Sequence, residues 1–261
     1  MTTFDPDYFP DLVRAEESHF WFTSRNQVIR VAAERAVSES RQRPRVLEVG
    51  CGTGNVLRML DAALPQAFVL GMDLFIEGLK LARVRTDRPL VQGDLEHAPF
   101  NARFDIIGLF DVLEHLPDDV AVLTSLRATL APRGFLLLTV PAGPRLWSYF
   151  DEAANHKRRY TLDDLHRKLV GSGFVVEYLT HYMAALLPLM WAGRRWSARR
   201  RTDGRRKPDD ERAVLARAEL AVSPAVSAVL RTLMAWEPWA IAARRRLPWG
   251  TSLLAVARPA E

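Results

Sequence analysis

One ten-residue run, Arg45-Val46-Leu47-Glu48-Val49-Gly50-Cys51-Gly52-Thr53-Gly54, constrains the folding of this chain of 261 residues more than any other. An apolar run ends on an acid, and three glycines then occupy every second position ahead of an amphipathic stretch over 54–63. Glycine turns the backbone sharply and lets it approach a neighbour with no Cβ in the way, so the run reads as strand, tight turn and helix. The flanks repeat this rhythm. Apolar runs at 68–72, 90–92, 104–109 and 134–140 alternate with helical patterns at 76–84 and 117–130. Such alternation predicts βαβ units and an α/β fold, a doubly wound, mostly parallel sheet with helices on both faces. The helix at 117–130 should leave through Ala131-Pro132-Arg133-Gly134, a breaker sequence. Another helix, 161–170, opens on the capping pattern Thr161-Leu162-Asp163-Asp164 and stops at Gly171-Ser172-Gly173, before a strand at 174–180.

Between 181 and 248 the rhythm breaks. An apolar helix at 181–196, a charged loop at 199–208 and two more helical patterns precede Pro248-Trp249-Gly250 and a final β-like run at 251–257. The strands at 174–180 and 251–257 are expected as antiparallel neighbours at one sheet edge, with the helical segment inserted in their connection. The chain then divides into an N-terminal helical cap (1–43), a core (44–180), a helical insertion (181–248) and a final strand (249–261).

The glycine pattern lacks the G-x-G-x-x-G spacing that sets a pyrophosphate on a helix N-terminus, which argues for a ligand without phosphates. Instead, E-x-G-x-G-x-G after a first strand resembles the first motif of class I S-adenosylmethionine-dependent methyltransferases. That resemblance implies a Rossmann-like, seven-stranded sheet with an antiparallel last strand and S-adenosylmethionine as cofactor. It lays the backbone of Gly50, Cys51, Gly52 and Gly54 against the cofactor's amino-acid and ribose parts, with Glu48 orienting the loop or meeting the methionine ammonium. Asp73, with Leu74 beside it, ends the second strand; a carboxylate there can accept both hydrogen bonds of a ribose diol. Asp94 and Leu95 match the family's adenine contacts. The strand at 104–109 runs into Phe110-Asp111-Val112-Leu113-Glu114-His115, similar to the fourth motif of the small-molecule members, the ubiquinone-biosynthesis methyltransferases among them. Phe110 and Asp111 would then flank the methionine part. His115 is a candidate general base, because imidazole titrates near neutrality.

Two outer segments resemble a bacterial subset of the family. Glu16-Glu17-Ser18-His19-Phe20-Trp21-Phe22-Thr23-Ser24-Arg25 is unusually aromatic for a chain start and reads as a lid. Arg25 would grip the cofactor carboxylate with its guanidinium fork, and Trp21 would face the acceptor. The second segment carries Trp147, Asp151, His156, Arg158, Arg159 and Tyr160 at the carboxyl end of the fifth strand. Trp147, His156, Arg159 and Tyr160 are its candidate acceptor contacts, and His156 is a second candidate base. The other reading of the segment is a polar loop pinned by Arg–Asp pairs.

Composition narrows the remaining choices. A single cysteine excludes an intrachain disulfide framework, no metal-ligand spacing or nucleophile elbow is present, and no metal is expected. The start of the chain lacks a signal-peptide pattern and no uncharged apolar run is long enough to cross a bilayer, which predicts a cytoplasmic protein. The net charge of +5 is concentrated at 194–207 and 244–246, beside apolar helices. That placement fits an anionic membrane face better than nucleic acid, so 181–207 is expected as a substrate cap, a peripheral contact at the inner membrane face, or a homodimer contact. The reading is a methyltransferase of a small-molecule or prenyl/lipid-linked acceptor in secondary metabolism, with O-methylation leading over C- or N-methylation. An NAD(P)-dependent oxidoreductase and a non-catalytic membrane scaffold that binds the cofactor are the competing classes.

Overall fold

The computed structural model describes residues 6–95, 100, 103–189 and 222–260. Two helices lead, α1 (Phe9–Glu16) and α2 (Phe20–Ser38), followed by β1 (Arg45–Val49), α3 (Asn55–Ala63), β2 (Phe68–Asp73), α4 (Ile76–Arg85), β3 (Leu90–Gln92) and β4 (Phe104–Phe110). Then come α5 (Asp119–Thr129), β5 (Leu130–Pro141), α6 (Tyr149–Ala153), α7 (Leu162–Gly171) and β6 (Phe174–Tyr182). Helices α8 (Pro224–Met234) and α9 (Glu237–Ala242) precede β7 (Ser252–Pro259).

The seven strands form one sheet in the order β3-β2-β1-β4-β5-β7-β6. Strands β1 to β5 pair in parallel, whereas β7 is antiparallel to both β5 and β6. Strand order reverses between β1 and β4, and the crevice at such a switch point is where open α/β sheets take their ligands. The central strands are apolar throughout because both of their faces are covered. Val46, Ile106, Leu137 and Val256 belong to a core shared with α2, α3, α8 and α9. Leu47, Ile107, Leu136 and Ala255 point the other way, into a core built with α5 and α7.

The described part of the insertion between β6 and β7 lies on the N-terminal helices: α8 and α9 both pack on α2. Ser227 fixes this contact. Its Oγ accepts the Phe20 backbone N–H at 2.8 Å and donates to the Ser18 carbonyl at 3.1 Å.

Three expected boundaries are corrected. Helix α5 starts at Asp119 rather than 117, because the Asp118 carboxylate caps it by accepting from the Ala121 N–H at 2.9 Å. Ala131-Pro132-Arg133-Gly134 is no loop, since β5 runs from Leu130 and Leu130 already pairs with Phe104 of β4. Strand β6 continues through His181 and Tyr182, which pair with Leu253 and Ser252, so the helical reading of 181–196 fails at its start. Residues 186–189 are helical; the rest of that predicted helix and the charged loop at 199–208 lie outside the described residues.

Candidate functional site

The carboxyl ends of β1, β2 and β4 open into a cavity roofed by the N-terminal helices. Its floor is the glycine loop. Gly50 and Cys51 both donate backbone N–H groups to the Met72 carbonyl, at 2.8 and 3.0 Å, which folds the loop back onto β2. Gly50, Gly52 and Gly54 all take positive φ, at 70°, 48° and 76°, a conformation open to glycine and costly for residues with a Cβ. At Gly50 a Cβ would also lie 2.4 Å from Val112 Cγ2. Gly54 has a different place from its two neighbours: it caps α3 and backs onto Ala82 of α4, outside the cavity wall.

Asp73 ends β2 and organises the loop while facing the cavity. Its Oδ2 accepts the Gly52 N–H at 2.7 Å and its Oδ1 the Phe75 N–H at 2.8 Å. Each carboxylate oxygen accepts more than one bond, so capacity remains for a diol. Burial raises its pKa despite these backbone bonds. Leu74, Asp94, Leu95 and Phe110 line the same cavity, as does the Cys51 residue.

Glu48 and Arg25 are two ionisable side chains of the cavity wall that each keep an unpartnered buried atom. Glu48 is fully enclosed; burial drives its carboxyl well above the usual range, Arg25 works against this, and Asp73 and Glu16 add to it. Its Oε2 is buried with no hydrogen-bond partner. Arg25 sits in α2, with its guanidinium 4.8 Å from the Trp21 ring and 5.5 Å from the Phe22 ring. One Nη donates to Asp111 Oδ2 at 3.0 Å, while its Nε is buried without a partner. The cavity thus holds an unpartnered carboxyl oxygen on Glu48 and an unpartnered guanidinium N–H on Arg25, whose fork is otherwise paired with Asp111. Asp111 itself is held at φ 55°, a strained setting for a non-glycine residue, and its N–H donates to Thr139 O at 3.0 Å.

The lining residues Phe9 and Leu12 escaped the sequence reading, whereas Glu16 and Phe22 fall in the segment read as a lid. Phe9, Leu12 and Glu16 of α1 and Phe22 of α2 close the cavity opposite the sheet. Glu16 is buried and accepts Thr53 Oγ1 on both carboxylate oxygens at 2.7 Å. Arg85 of α4 completes the knot: it pairs with Glu16, donates to Thr53 Oγ1 at 3.0 Å and reaches the Val13 carbonyl at 3.2 Å. The stretch is expected as part of an N-terminal helical cap, but the partners of Glu16 lie about 40 and 70 residues downstream, at Thr53 and Arg85, and no local pattern marks them.

The 141–160 segment divides. Tyr160 is corrected as an acceptor contact: it is wholly buried, and its hydroxyl donates to Asp119 Oδ2 at 2.9 Å and approaches Leu113 O at 3.4 Å. Arg159 is also engaged, with Nε donating to Asp151 Oδ1 at 2.6 Å and an Nη to Ala142 O at 3.2 Å. Trp147 is partly exposed and, like Trp21, His156 and Arg159, is outside the cavity wall. His115 does line the cavity, and His156 packs behind it, ring centroids 4.8 Å apart and planes at 79°. Glu114, His115 and His156 offer ligand atoms all within 4.8 Å of one another, a spacing that a cation could bridge and across which protons could also be shared.

A seven-stranded sheet with β7 reversed, a glycine loop at the switch point and acids ending successive strands define a class I S-adenosylmethionine-dependent methyltransferase. Residues 22–179 match the model of the methyltransferase-domain family, and the chain belongs to that family. It is 32% identical over 117 residues to the ubiquinone biosynthesis O-methyltransferase of Psychrobacter arcticus, an alignment covering 40% of this chain and 44% of that protein. A second relative, the trans-aconitate 2-methyltransferase of an Azoarcus species, is 31% identical over 128 residues, 49% of this chain and 48% of the relative. This chain therefore spans about half the length of the curated relatives it matches. Among solved structures it is similar in fold to the plantazolicin methyltransferase BpumL crystallised with S-adenosylhomocysteine. The TM-score is 0.60 at 13% identity, covering 98% of this chain and 92% of that one.

Proposed function

We propose that the protein methylates the oxygen of a small-molecule acceptor, with His115 as the base. The observation that carries this reading is the place of His115: its imidazole lines the cavity beside Asp111 and Val112, next to the residues that fit the methionine part. In the proposed assignment Glu48 takes the cofactor's ammonium and Arg25 its carboxylate. Asp73 takes the ribose diol, Asp94 and Leu95 the adenine, and Phe110 and Asp111 flank the methionine chain. When bound, the cofactor supplies an electrophilic methyl group on a sulfonium. The chain's own task is to hold the acceptor in line, exclude water and accept the proton that a hydroxyl sheds. A carboxylate acceptor would need no base, which makes the two curated relatives a useful contrast.

The test is transfer of labelled methyl from S-adenosylmethionine to catechol and, separately, to trans-aconitate. Catechol methylation that falls about a hundredfold in His115→Gln, with S-adenosylhomocysteine affinity within about twofold, is the expected result. Methylation of trans-aconitate alone, indifferent to His115, would replace O-methylation at a hydroxyl with carboxyl methylation. A prenyl- or lipid-linked acceptor is the second reading, favoured by one specific feature. Val226, Val229, Leu233 and Trp236 recur at helical spacing along α8 and the turn after it, and all are exposed. With Trp239 and Arg245 nearby, this surface suits a peripheral membrane contact. Sedimentation with anionic vesicles checks it, and a concentration-dependent dimer without vesicle binding would assign the stripe to a second copy instead. No helix among the described residues is long and apolar enough to cross a membrane.

A further inference from the structure

Behind His115 lies a group of buried polar side chains that takes no part in holding the cofactor. Its centre is Asp151, in the first turn of α6 and wholly buried. One of its oxygens has an ordinary structural use: Oδ2 accepts the Ser148 N–H at 2.8 Å and Ser148 Oγ at 3.2 Å, closing a capping box at the start of α6. The other is not needed for the cap. Oδ1 stands 2.9 Å from His156 Nδ1 and accepts Arg159 Nε at 2.6 Å. Burial works to raise the carboxyl's pKa, but the bonds from His156 and Arg159 outweigh it and hold it at about 2. An ionised carboxylate has no proton to offer. In a neutral His156, Nδ1 is therefore the nitrogen that carries hydrogen, and Nε2 is left with the basic lone pair.

The backbone fixes the same ring. Asn155 takes φ 56°, the His156 N–H donates to Asp151 O at 2.9 Å, and the Lys157 N–H donates to Glu114 O at 2.8 Å. The loop is thereby stitched to the turn that carries His115. His156 Nε2 lies 3.9 Å from Glu114 Oε1, and burial keeps the Glu114 carboxyl well above its usual range. The His156 ring meets the His115 ring edge to face at 4.8 Å.

We infer that Asp151 is a positioning residue for methyl transfer: it locks His156 in the Nδ1–H tautomer and in one orientation, and His156 in turn holds the His115 imidazole at the cavity wall. This inference rests on the O-methylation reading above. There the acceptor's O–H bond breaks as its oxygen bonds to the methyl carbon, the proton passes to imidazole, and the products are a methyl ether, an imidazolium and the neutral thioether. The arrangement matters most when the acceptor hydroxyl is a weak acid, because an acceptor already ionised in water has no proton to hand over.

Two variants and two readouts test it. Asp151→Asn removes the anion; Ser148→Ala weakens the same capping box without touching Oδ1 and controls for damage to α6. In long-range ¹H–¹⁵N spectra of the histidine-labelled full chain with S-adenosylhomocysteine, the wild type and Ser148→Ala should show His156 protonated at Nδ1. Asp151→Asn should move the proton toward Nε2 and shift the His115 ring signals. In kinetics, Asp151→Asn should lower kcat for catechol about a hundredfold and kcat for the more acidic 4-nitrocatechol about tenfold or less. An unchanged His156 spectrum in Asp151→Asn overturns the inference, as does an equal loss in Ser148→Ala or an equal loss for both catechols. So does a stoichiometric divalent ion bound to the two imidazoles in the purified protein. If neither catechol is methylated by the wild type, the O-methylation reading fails by itself, and the spectra still decide the tautomer.

Discussion

At the residue scale, the cavity is defined by buried polar atoms without a hydrogen-bond partner. Glu48 is the clearest case. Burial raises its carboxyl well above the usual range, so the ligand-free protein holds it neutral over pH values where a free glutamate is ionised. A cofactor ammonium reverses that balance, because an adjacent cation favours the ionised form. Binding of S-adenosylhomocysteine should therefore release a proton, and affinity should rise with pH until the unliganded carboxyl ionises. Calorimetry in buffers of different ionisation enthalpy reads both, and Glu48→Gln should abolish the release while weakening binding by about tenfold or more. In the ligand-free protein the sign is opposite for stability. A folded-state pKa above the unfolded one means the fold binds the extra proton, so this group's contribution declines as pH rises through that interval. That Gly50 to Gly52, Asp73 and His115 face one cavity was legible because each stands beside a local signal, a strand end followed by a turn. The engagement of Arg25 with Asp111, and of Tyr160 with Asp119, was not, since both pairs join segments with no local relation.

Elements bring these residues together, and α1 shows how far apart they start. Its last residue, Glu16, is a buried acid tied to Thr53 in the glycine loop and Arg85 in α4, so the helix that roofs the cavity is fastened to its floor. Glu16→Ala would strand a nearly buried guanidinium. Breaking such a pair from one side costs about 3 kcal/mol, and melting curves should show it as a fall of several degrees. Because Phe9 and Leu12 line the cavity from the same helix, S-adenosylhomocysteine should also dissociate faster, and stopped-flow release measures this. A similar staple joins α9 to the end of β6: Glu237 accepts the Met183 and Ala184 N–H groups at 2.6 and 2.7 Å, where Met183 turns the chain at φ 57°. Within the core, the periodicities that predicted helices and strands were correct in kind, whereas the apolar helix expected from 181 begins as strand. Their misplaced ends at 117–119, 130–134 and 180–182 were decided by a cap at Asp118 and by strand partners, neither of which periodicity contains.

For the whole molecule, the final strand matters most. Strand β7 lies between β5 and β6, pairing with Leu136–Pro141 on one side and with Phe174–Tyr182 on the other. It fills an interior slot of the sheet, with Leu253, Leu254 and Ala255 buried against both cores. Deleting 249–261 should remove cooperative thermal unfolding in circular dichroism, whereas removal of an edge strand would leave the central sheet paired. The same topology explains the insertion. Because β7 must return antiparallel into the β5–β6 gap, the chain before it has to travel back along the sheet; its described part, α8 and α9, packs on α2, and Ser227 anchors it to Ser18 and Phe20. By itself the sequence determined the sheet type, the glycine loop and the acids at the strand ends, since these follow from short-range periodicity and from residues adjacent to a turn; the cofactor came from the family resemblance that those motifs carry. Only the tertiary structure decided which groups share the cavity: α1 as its roof, His115 rather than His156 on its wall, and Tyr160 in the core. Those facts depend on contacts between residues tens of positions apart, formed when the sheet closes and apolar burial overrides local preference.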